Sequence, residues 1–283
     1  MIDIEKLKFV QEKREKGAFY ASDTGKPLLD MYFAFKGVEP SNPPAWYDSL
    51  KWGAGNGVEK AIVDIFKSNG IVPEDYDQKV HGRIDIEREG VTIHGYIDAK
   101  MIDGTPIEIK SINNANKWDV KKYQDNKPRE NYVGQLAVYM DALDLDSGYL
   151  FVSSIDGLNR FIFECKRIGY RKFKCGETEV DLDKVYKKWA EFYTKCIVGN
   201  EPPDIWEYRY KIPVEEIDFK ELSTTDIGKM RNNAKVLGDF QISYSPFKDM
   251  IIKMQGDTLG YTPKEIDFIK ENTKGFSSKV NKW

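Results

Sequence analysis

The stretch GYIDAKMIDGTPIEIKS, residues 95–111, decides the fold because it reads as one β-hairpin with charged side chains among buried positions. Asp103-Gly104 is a turn signal, and the residues on either side alternate between apolar and polar, as strand residues do. A two-residue turn would place Asp98 and Glu108 on opposite faces of the hairpin. A three-residue loop with Gly104 in the left-handed region would set the two carboxylates opposite or diagonal to each other. We predict the three-residue loop.

Two carboxylates paired in this way have Cβ atoms about 5 Å apart, and they repel each other unless a proton or a cation joins them. Carboxylate oxygens are the ligands that Mg²⁺ prefers, and Lys110 is spaced to orient or deprotonate a water molecule beside such an ion. The alternative is a surface hairpin in which Lys110 neutralises one acid. The hairpin by itself therefore leaves both a metal site and a surface ion pair open.

A helix predicted over residues 57–68 supplies a third acid. Its apolar stripe includes Val58, Ile62 and Phe66, and Glu59 lies on the edge of that stripe. A carboxylate in this position needs a partner, because burying an unpaired charge is unfavourable. Glu59 is therefore either a further metal ligand or a side chain that reaches solvent or a nearby lysine.

A second helix, predicted over residues 129–144, carries a polar pair at the border of its buried face. Gln135 and Tyr139 are four residues apart and so lie next to each other on the helix surface. The pair either points into a cleft or forms the ordinary rim of an amphipathic helix.

The order of the elements predicts an α/β protein with a mixed central sheet flanked by helices. Further helices are predicted over residues 3–16, 23–36 and 181–198, and strands over 83–111, 148–154 and 159–168. The segment GNEPPD marks a boundary, so we expect a core of residues 1–200 and a mostly helical extension of residues 201–283. In the extension, Thr262-Pro263-Lys264-Glu265 has the residues of a helix-starting capping box.

Composition narrows the class of protein. A chain of 283 residues with 41% hydrophobic residues can bury a core, and its net charge of −3 argues against coating nucleic acid by bulk charge. Cys165, Cys175 and Cys196 are too widely spaced for a zinc ribbon, and we interpret them as reduced thiols. No apolar run approaches the roughly 18 residues of a membrane helix, and the charged N-terminus is unlike a signal peptide, so we expect a cytoplasmic protein without membrane contact.

Two basic stretches are candidates for DNA contact. Residues 166–174, KRIGYRKFK, hold five basic side chains, and a second group lies between Lys117 and Arg129. Basic runs of this kind are usually solvated faces, which is the interpretation we adopt for both when they are considered alone.

Taken together, these residues resemble the PD-(D/E)XK nuclease superfamily, and within it the RecB-like and phage exonuclease branch. The resemblance covers about residues 20–165 and rests on four motifs in the family's order. They are the helical acid of GAGNGVEKAI, Gly-x-x-Asp in GYID, Glu-x-Lys in EIK, and the branch-specific Gln-x-x-x-Tyr in QLAVY, that is Glu59, Asp98, Glu108, Lys110, Gln135 and Tyr139.

The resemblance implies a restriction-endonuclease-like core and a DNA exonuclease dependent on Mg²⁺ or Mn²⁺. The implied metal ligands are Glu59, Asp98, Glu108 and the carbonyl group of Ile109, and the implied catalytic residues are Asp98, Glu108 and Lys110. The residues expected to orient the hairpin or contact DNA are Gln135, Tyr139, Asn113, Asn114 and Lys117. The implied setting is recombination, repair or phage DNA processing in a bacterial or phage-infected cell, with DNA as partner and a single-strand annealing or other recombination protein as a candidate partner.

The sequence departs from the family pattern in three places. Ile97 stands where the family name places proline, and YASDTGKPLLD lacks the Cys and Arg of the branch's N-terminal motif. The cysteine pattern of the iron–sulfur members is missing, so we expect no iron–sulfur cluster. A structure- or sequence-specific endonuclease of the same fold, and a catalytically inactive DNA-binding module, stay open as alternatives.

Overall fold

The computed structural model describes residues 17–43, 45–204, 212–231, 242, 244–254 and 261–274. The described residues fall into two compact units, one drawn from residues 1–26 and 44–199 and the other from 27–43 and 200–283. The helix predicted over residues 3–16 lies outside the described residues. In the part of the chain that is described, no helix is long and apolar enough to cross a membrane.

The first unit contains two β-sheets. The three-stranded sheet consists of β1 (Phe19–Tyr20), β2 (Arg83–Arg88) and β3 (Val91–Tyr96), with β3 in the middle and parallel to β1. The six-stranded sheet consists, in spatial order, of β4 (Ala99–Lys100), β5 (Pro106–Ile112), β6 (Ser147–Ser154), β7 (Arg160–Gly169), β8 (Lys172–Cys175) and β9 (Thr178–Asp181). Only its β5–β6 pair is parallel, so the sheet is mixed, as predicted.

The α-helices of the described residues are α1 (Leu28–Phe35), α2 (Trp46–Ser68), α3 (Gln78–His81), α4 (Lys117–Gln124), α5 (Glu130–Leu143), α6 (Leu182–Phe192), α7 (Thr224–Arg231), α8 (Lys248–Met254) and α9 (Pro263–Asn272). A π-helical segment, Tyr193–Val198, continues α6, so the helix predicted over 181–198 is present in two forms. α2 begins eleven residues before the predicted start, because its N-terminus is capped by a hydrogen bond from Ala45 N to Asp48 Oδ2 (2.9 Å).

Helices cover both faces of the six-stranded sheet. α2 packs Ile62 against Ile107 and Ile109 of β5. On the opposite face, α5 lies so close to β6 that a β-carbon on Gly148 would be 3.1 Å from Leu136 Cδ1. The architecture is thus the predicted mixed α/β sheet between helices, consistent with a restriction-endonuclease-like fold.

The strand region predicted over residues 83–111 is correct in part. The Glu89-Gly90 turn joins β2 and β3, and both of its residues have positive φ (50° and 77°), as in a two-residue hairpin. The expectation of consecutive strands is wrong at Ile97, where the chain leaves one sheet for the other. The reason is that Ile97 bonds outside the sheet, its N–H donating to Gly82 O (2.9 Å) and its carbonyl accepting from Tyr76 Oη (2.7 Å).

The second unit is built around α1 and the segment that contains α8. Its buried apolar residues are Leu29, Phe33, Ile242, Phe247, Ile251 and Ile252. Ser245 Oγ donates to Asp30 Oδ1 (2.6 Å), and Asn42 N donates to Pro246 O (2.8 Å). The capping box predicted for α9 is confirmed, because Thr262 N donates to Glu265 Oε2 and Glu265 N to Thr262 Oγ1. Residues 27–43, which the sequence analysis placed with the core, belong to this unit.

Candidate active site

The hairpin of β4 and β5 brings the two predicted carboxylates together. Ala99 pairs with Ile107, and this register places Asp98 opposite Glu108. Met101 N donates to Thr105 O (2.8 Å), which closes a loop of three residues that ends on Gly104, whose φ of +90° is in the left-handed region. The predicted odd-length loop is confirmed, and both acids lie on one face of the hairpin.

Asp98 is buried at the point where β3 ends and β4 begins. The Ile109 N–H donates to its Oδ2 (2.8 Å), and the Gln78 amide donates to its Oδ1 (3.0 Å). The hydrogen bond from the Ile109 N–H ties the Asp98 carboxylate to the backbone of β5, which limits how far the carboxylate can move. Burial raises the pKa of Asp98, against the opposing effects of Lys110 and of the Ile109 N–H.

Glu108 is the most enclosed group of the site, with no exposed surface. Its Oε1 forms an ion pair with Lys110 Nζ. The Asp98 carboxyl is within hydrogen-bonding reach, but two ionised carboxylates can only accept, so a shared proton or a cation is needed between them. Burial, followed by the charge of Asp98, raises the pKa of Glu108 well above its ordinary value.

Lys110 is held in its charged form. Burial by itself lowers the pKa of this ammonium group, but the carboxylates of Glu108 and Asp98 outweigh burial, and the pKa lies above its ordinary value. The ammonium also lies 5.6 Å from the centre of the Tyr132 ring. At neutral pH Lys110 is therefore a fixed positive charge and hydrogen-bond donor rather than a base.

Glu59 of α2 reaches the same cluster through a residue that the sequence analysis missed. The Gln78 amide, which donates to Asp98, also donates to Glu59 Oε1 (3.4 Å). Burial, followed by the nearby charge of Asp98, raises the pKa of Glu59 to about 7. Glu59 is thus at the site, as predicted, with Gln78 between it and the hairpin. Nothing in the sequence singles out Gln78, because it belongs to no motif and its helix has four residues.

The backbone around Ile97 explains how Gln78 arrives there. Tyr76 and Gly82 flank α3, and both bond to the Ile97 peptide next to Asp98. A β-carbon on Gly82 would be 2.5 Å from the Ile97 carbonyl oxygen, so only glycine permits this approach. These hydrogen bonds join the two ends of α3 directly to Ile97, on the far side of the β2–β3 hairpin in the sequence, and so fix α3 beside the acids.

Gln135 and Tyr139 of α5 hold the strand that leads to Asp98. The Gln135 amide donates to Tyr139 Oη (2.9 Å), which donates to the Tyr96 carbonyl (2.9 Å). Gly95 permits this contact, because a β-carbon there would be 2.8 Å from Tyr139 Cε1. Tyr139 is 1% exposed, so its side chain orients the strand and does not face solvent. Of the two roles implied for this pair, the geometry favours orientation of the hairpin over contact with DNA.

The three residues expected to contact phosphates follow β5. Asn114 donates to Asp156 Oδ2 (2.9 Å) and accepts from Asn159, which ties this loop to the turn after β6. Asn113 accepts from Ala115 N (2.9 Å) within the loop itself. These bonds organise the loop, and phosphate contact by the two asparagines stays a prediction. Lys117 is exposed, and among the described residues it has no hydrogen-bond or ion-pair partner for its ammonium group.

The cluster has the donor chemistry of a divalent-metal site. Across the described residues, no group of three or more His, Cys, Asp or Glu side chains is arranged to hold a metal ion. The Gln78 amide lies between Glu59 and Asp98 and donates to both carboxylates. Asp98 and Glu108 nevertheless provide two buried carboxylates, and Glu108 is paired with Lys110. Carboxylate oxygens are the donor type that a hard cation prefers.

No protein-family model matches the chain, and no curated protein matches it. Among solved structures, the chain is similar to one described as the crystal structure of SSO0001, with a TM-score of 0.42 and 15% identity over 74% of this chain and 87% of that chain. It is also similar to an alkaline exonuclease (LHK-Exo) from Laribacter hongkongensis, with a TM-score of 0.34 and 15% identity over 65% of this chain and 87% of that chain. Both similarities are distant, so a functional conclusion has to rest on the site.

Proposed function

We propose that this chain is a metal-dependent deoxyribonuclease that hydrolyses phosphodiester bonds, and that it acts as an exonuclease. The observation that carries the proposal is the pairing of Asp98 with Glu108, next to a lysine that is kept charged. Burying two acids and one lysine together does not favour the stability of the fold. Clusters of this kind are typical of functional sites.

In the proposed reaction, Asp98, Glu108 and the carbonyl of Ile109 would hold Mg²⁺ or Mn²⁺, and Glu59 would join them if Gln78 moved. When bound, the ion acts as a Lewis acid toward the scissile phosphate. Lys110 donates to the attacking water or to a phosphate oxygen, and its fixed charge stabilises the negative charge that develops there. Tyr139 and Gln135 keep the strand before Asp98 in place, so that the acids need little rearrangement.

The choice of an exonuclease rests on the resemblance of Gln135-x-x-x-Tyr139 to the phage exonuclease branch. A role in recombination, repair or phage DNA processing, and a recombination protein as partner, are proposals on the same basis. An endonuclease of the same fold is the nearest alternative, and a module that only binds DNA is the next.

The test compares end-labelled linear DNA with closed circular DNA in the presence of Mg²⁺ or Mn²⁺. We expect the linear form alone to be degraded, and Lys110→Ala to lower the rate by at least about a hundredfold, the usual effect of losing one group that stabilises developing charge. Lys166→Ala, which removes an exposed lysine paired with Glu164, is the matched control and should keep full activity.

Each other outcome changes the proposal in a defined way. Cleavage of the closed circle would replace the exonuclease with an endonuclease. Binding without cleavage of either form would favour the inactive module. Full activity in Lys110→Ala would remove the proposed site altogether.

A further inference from the structure

One face of α4 is exposed, aromatic and basic. Lys117, Trp118, Lys121 and Lys122 cover about 140° of the helix surface, and all four are exposed; we call them the α4 surface. Trp118 has 78% of its surface exposed, an unusual fraction for tryptophan, the largest type of side chain. A single exposed aromatic residue is ordinary at a protein surface, so its surroundings decide whether it has a role.

The opposite face of α4 is firmly anchored, so the exposure of Trp118 does not come from loose packing. Asp119 is buried and forms an ion pair with Arg129. Tyr123 is 2% exposed and stacks on Phe161, with 5.5 Å between the ring centres. These contacts fix which face of the helix points outward, and the face that does so carries the tryptophan.

The charge around Trp118 is positive although the whole chain is negative. Residues 113–129 hold five basic and two acidic side chains, and one of those acids, Asp119, is buried and neutralised by Arg129. In the described part of the chain Lys117 and Lys122 take part in no ion pair, while Lys121 lies 3.6 Å from Asp125.

The other basic stretch is different in this respect. Residues 166–174 were an equal candidate for DNA contact, but their basic side chains face acids on neighbouring strands and loops. Arg171 lies 2.9 Å from Glu89, and Lys174 lies 3.5 Å from Glu179. This stretch is neutralised within the protein, so a nucleic acid would gain little there.

A short series of contacts connects the anchored face of α4, opposite the α4 surface, to the candidate active site. The Tyr132 ring has Lys110 Nζ 5.6 Å from its centre and the Arg129 guanidinium at the same distance. Arg129 in turn holds Asp119 of α4. α4, which carries the exposed indole on its other face, is therefore linked through Arg129 and Tyr132 to the lysine of the site.

We propose that the α4 surface binds a single-stranded segment of DNA, with the Trp118 indole stacked on an unpaired base and the lysines on the phosphates. This inference deepens the proposed nuclease function, since it names the form of the substrate beside the same site. Stacking on an indole needs a base with an open face, which a duplex does not offer, whereas every unpaired base offers one. Charge complementarity identifies nucleic acid as the occupant.

The first measurement is binding in EDTA, so that it does not depend on cleavage. Fluorescence anisotropy would compare a labelled oligothymidine strand with a labelled duplex of the same length. We expect Trp118→Ala to weaken single-strand binding on the order of tenfold, Trp118→Phe to retain most of the affinity, and duplex binding to change little. Tyr170→Ala, which removes an aromatic residue that is 74% exposed elsewhere in the same unit, is the matched control.

The second measurement is the salt dependence of that binding. Replacing Lys117, Lys121 and Lys122 with alanine should reduce the slope of log affinity against log salt concentration by about 2, since each phosphate contact on a single strand contributes about 0.7. A triple variant of the paired lysines, Lys172→Ala with Lys174→Ala and Lys184→Ala, should leave the slope close to that of the wild type.

The outcomes separate this inference from the nuclease proposal. Equal single-strand affinity of Trp118→Ala and wild type, or no single-strand binding by the wild type, would overturn the inference and leave a protein partner as the occupant of the exposed indole. Weakened binding by Trp118→Ala in a chain that cleaves no DNA with Mg²⁺ or Mn²⁺ would support the α4 surface and overturn the nuclease proposal.

Discussion

Among single residues, Gln78 has the most direct influence on the state of the acids. Its amide donates hydrogen bonds to both Glu59 and Asp98. A cation bound between the two carboxylates would take the place of these hydrogen bonds. A cation that is to use both carboxylates must first displace this amide. Gln78 would therefore compete with the proposed metal ion, whereas the carboxylates would attract it.

Gln78→Ala removes that competition. We expect Mn²⁺ to bind this variant about fivefold more tightly than wild type, the effect of no longer breaking hydrogen bonds worth about 1 kcal/mol in net terms. Isothermal titration calorimetry measures the affinity without any need for activity. Val80→Ala, an exposed substitution on the same helix, is the control. Weaker binding by Gln78→Ala would show instead that the side chain is itself a ligand.

The raised pKa of Glu59 predicts a pH dependence of stability. The folded protein holds this proton with a pKa of about 7, against an ordinary value of 4.5, so the group contributes stability below about pH 4.5 that is lost as the pH rises to 7. Glu59→Gln mimics the protonated form and does not lose it. In EDTA we expect the difference in free energy of unfolding between Glu59→Gln and wild type to grow by about 1 to 2 kcal/mol, in favour of the variant, over this pH range. The full pKa shift would give more, but solvent screens part of the effect.

Urea unfolding at several pH values between 4 and 8 checks this. Parallel stability curves for Glu59→Gln and wild type would contradict the prediction. Saturating Mn²⁺ should restore wild-type stability above pH 7, because the ion binds the ionised carboxylate and displaces the proton.

At the scale of the elements, the contact between α5 and β3 depends on a glycine, which has no side chain. A β-carbon on Gly95 would lie 2.8 Å from Tyr139, 3.1 Å from Ile84 Cγ1 and 3.2 Å from Ala21 Cβ, all within a buried region. None of these neighbours can retreat without moving a helix or a strand. The glycine of the Gly-x-x-Asp motif therefore allows α5 to hold the strand that carries Asp98.

Gly95→Ala is expected to destabilise the protein by about 1 to 3 kcal/mol, the usual effect of overpacking a core. It should also lower activity, because Tyr139 can no longer hold Tyr96 in place. Gly53→Ala on α2 is the matched control, since a β-carbon there would meet nothing within 4 Å, and it should stabilise the helix by up to about 1 kcal/mol. Similar unfolding midpoints for the two variants would contradict this account.

The elements also show how far sequence patterns reach. The positions of α5, β6 and β7 follow from periodicity and from turn residues such as Asp156-Gly157, and these predictions are confirmed within one or two residues. The first half of α2 was not predicted, and its segment WYDSLKWGAGNG contains three glycines, which have low helix propensity. Gly55 lies close to β5, where a β-carbon would be 2.9 Å from Ser111 Oγ.

At the scale of the whole molecule, the second unit joins two distant parts of the sequence. Leu29 and Phe33 of α1 are buried against Phe247 and Ile251, more than 200 residues later in the chain. A chain shortened to residues 1–200 would keep the apolar face of α1 and lose its partners.

We expect the shortened chain to bind a hydrophobic dye more strongly than the full chain and to aggregate on size-exclusion chromatography. Replacing Leu29 and Phe33 with serine in the shortened chain should reduce both effects, because the exposed apolar face is then removed. A shortened chain that stays monomeric and binds no more dye than the full chain would sink this prediction.

The sequence by itself determined the pairing of Asp98 with Glu108. Both lie on one hairpin, and the three-residue loop ending in Gly104 sets the register through local backbone geometry. Only the tertiary structure decided that Gln78 lies between Glu59 and Asp98, and that residues 27–43 pack with the C-terminal segments. The physical reason is range, since turn geometry and periodicity act over a few residues, whereas these contacts depend on close approaches between segments far apart in the chain.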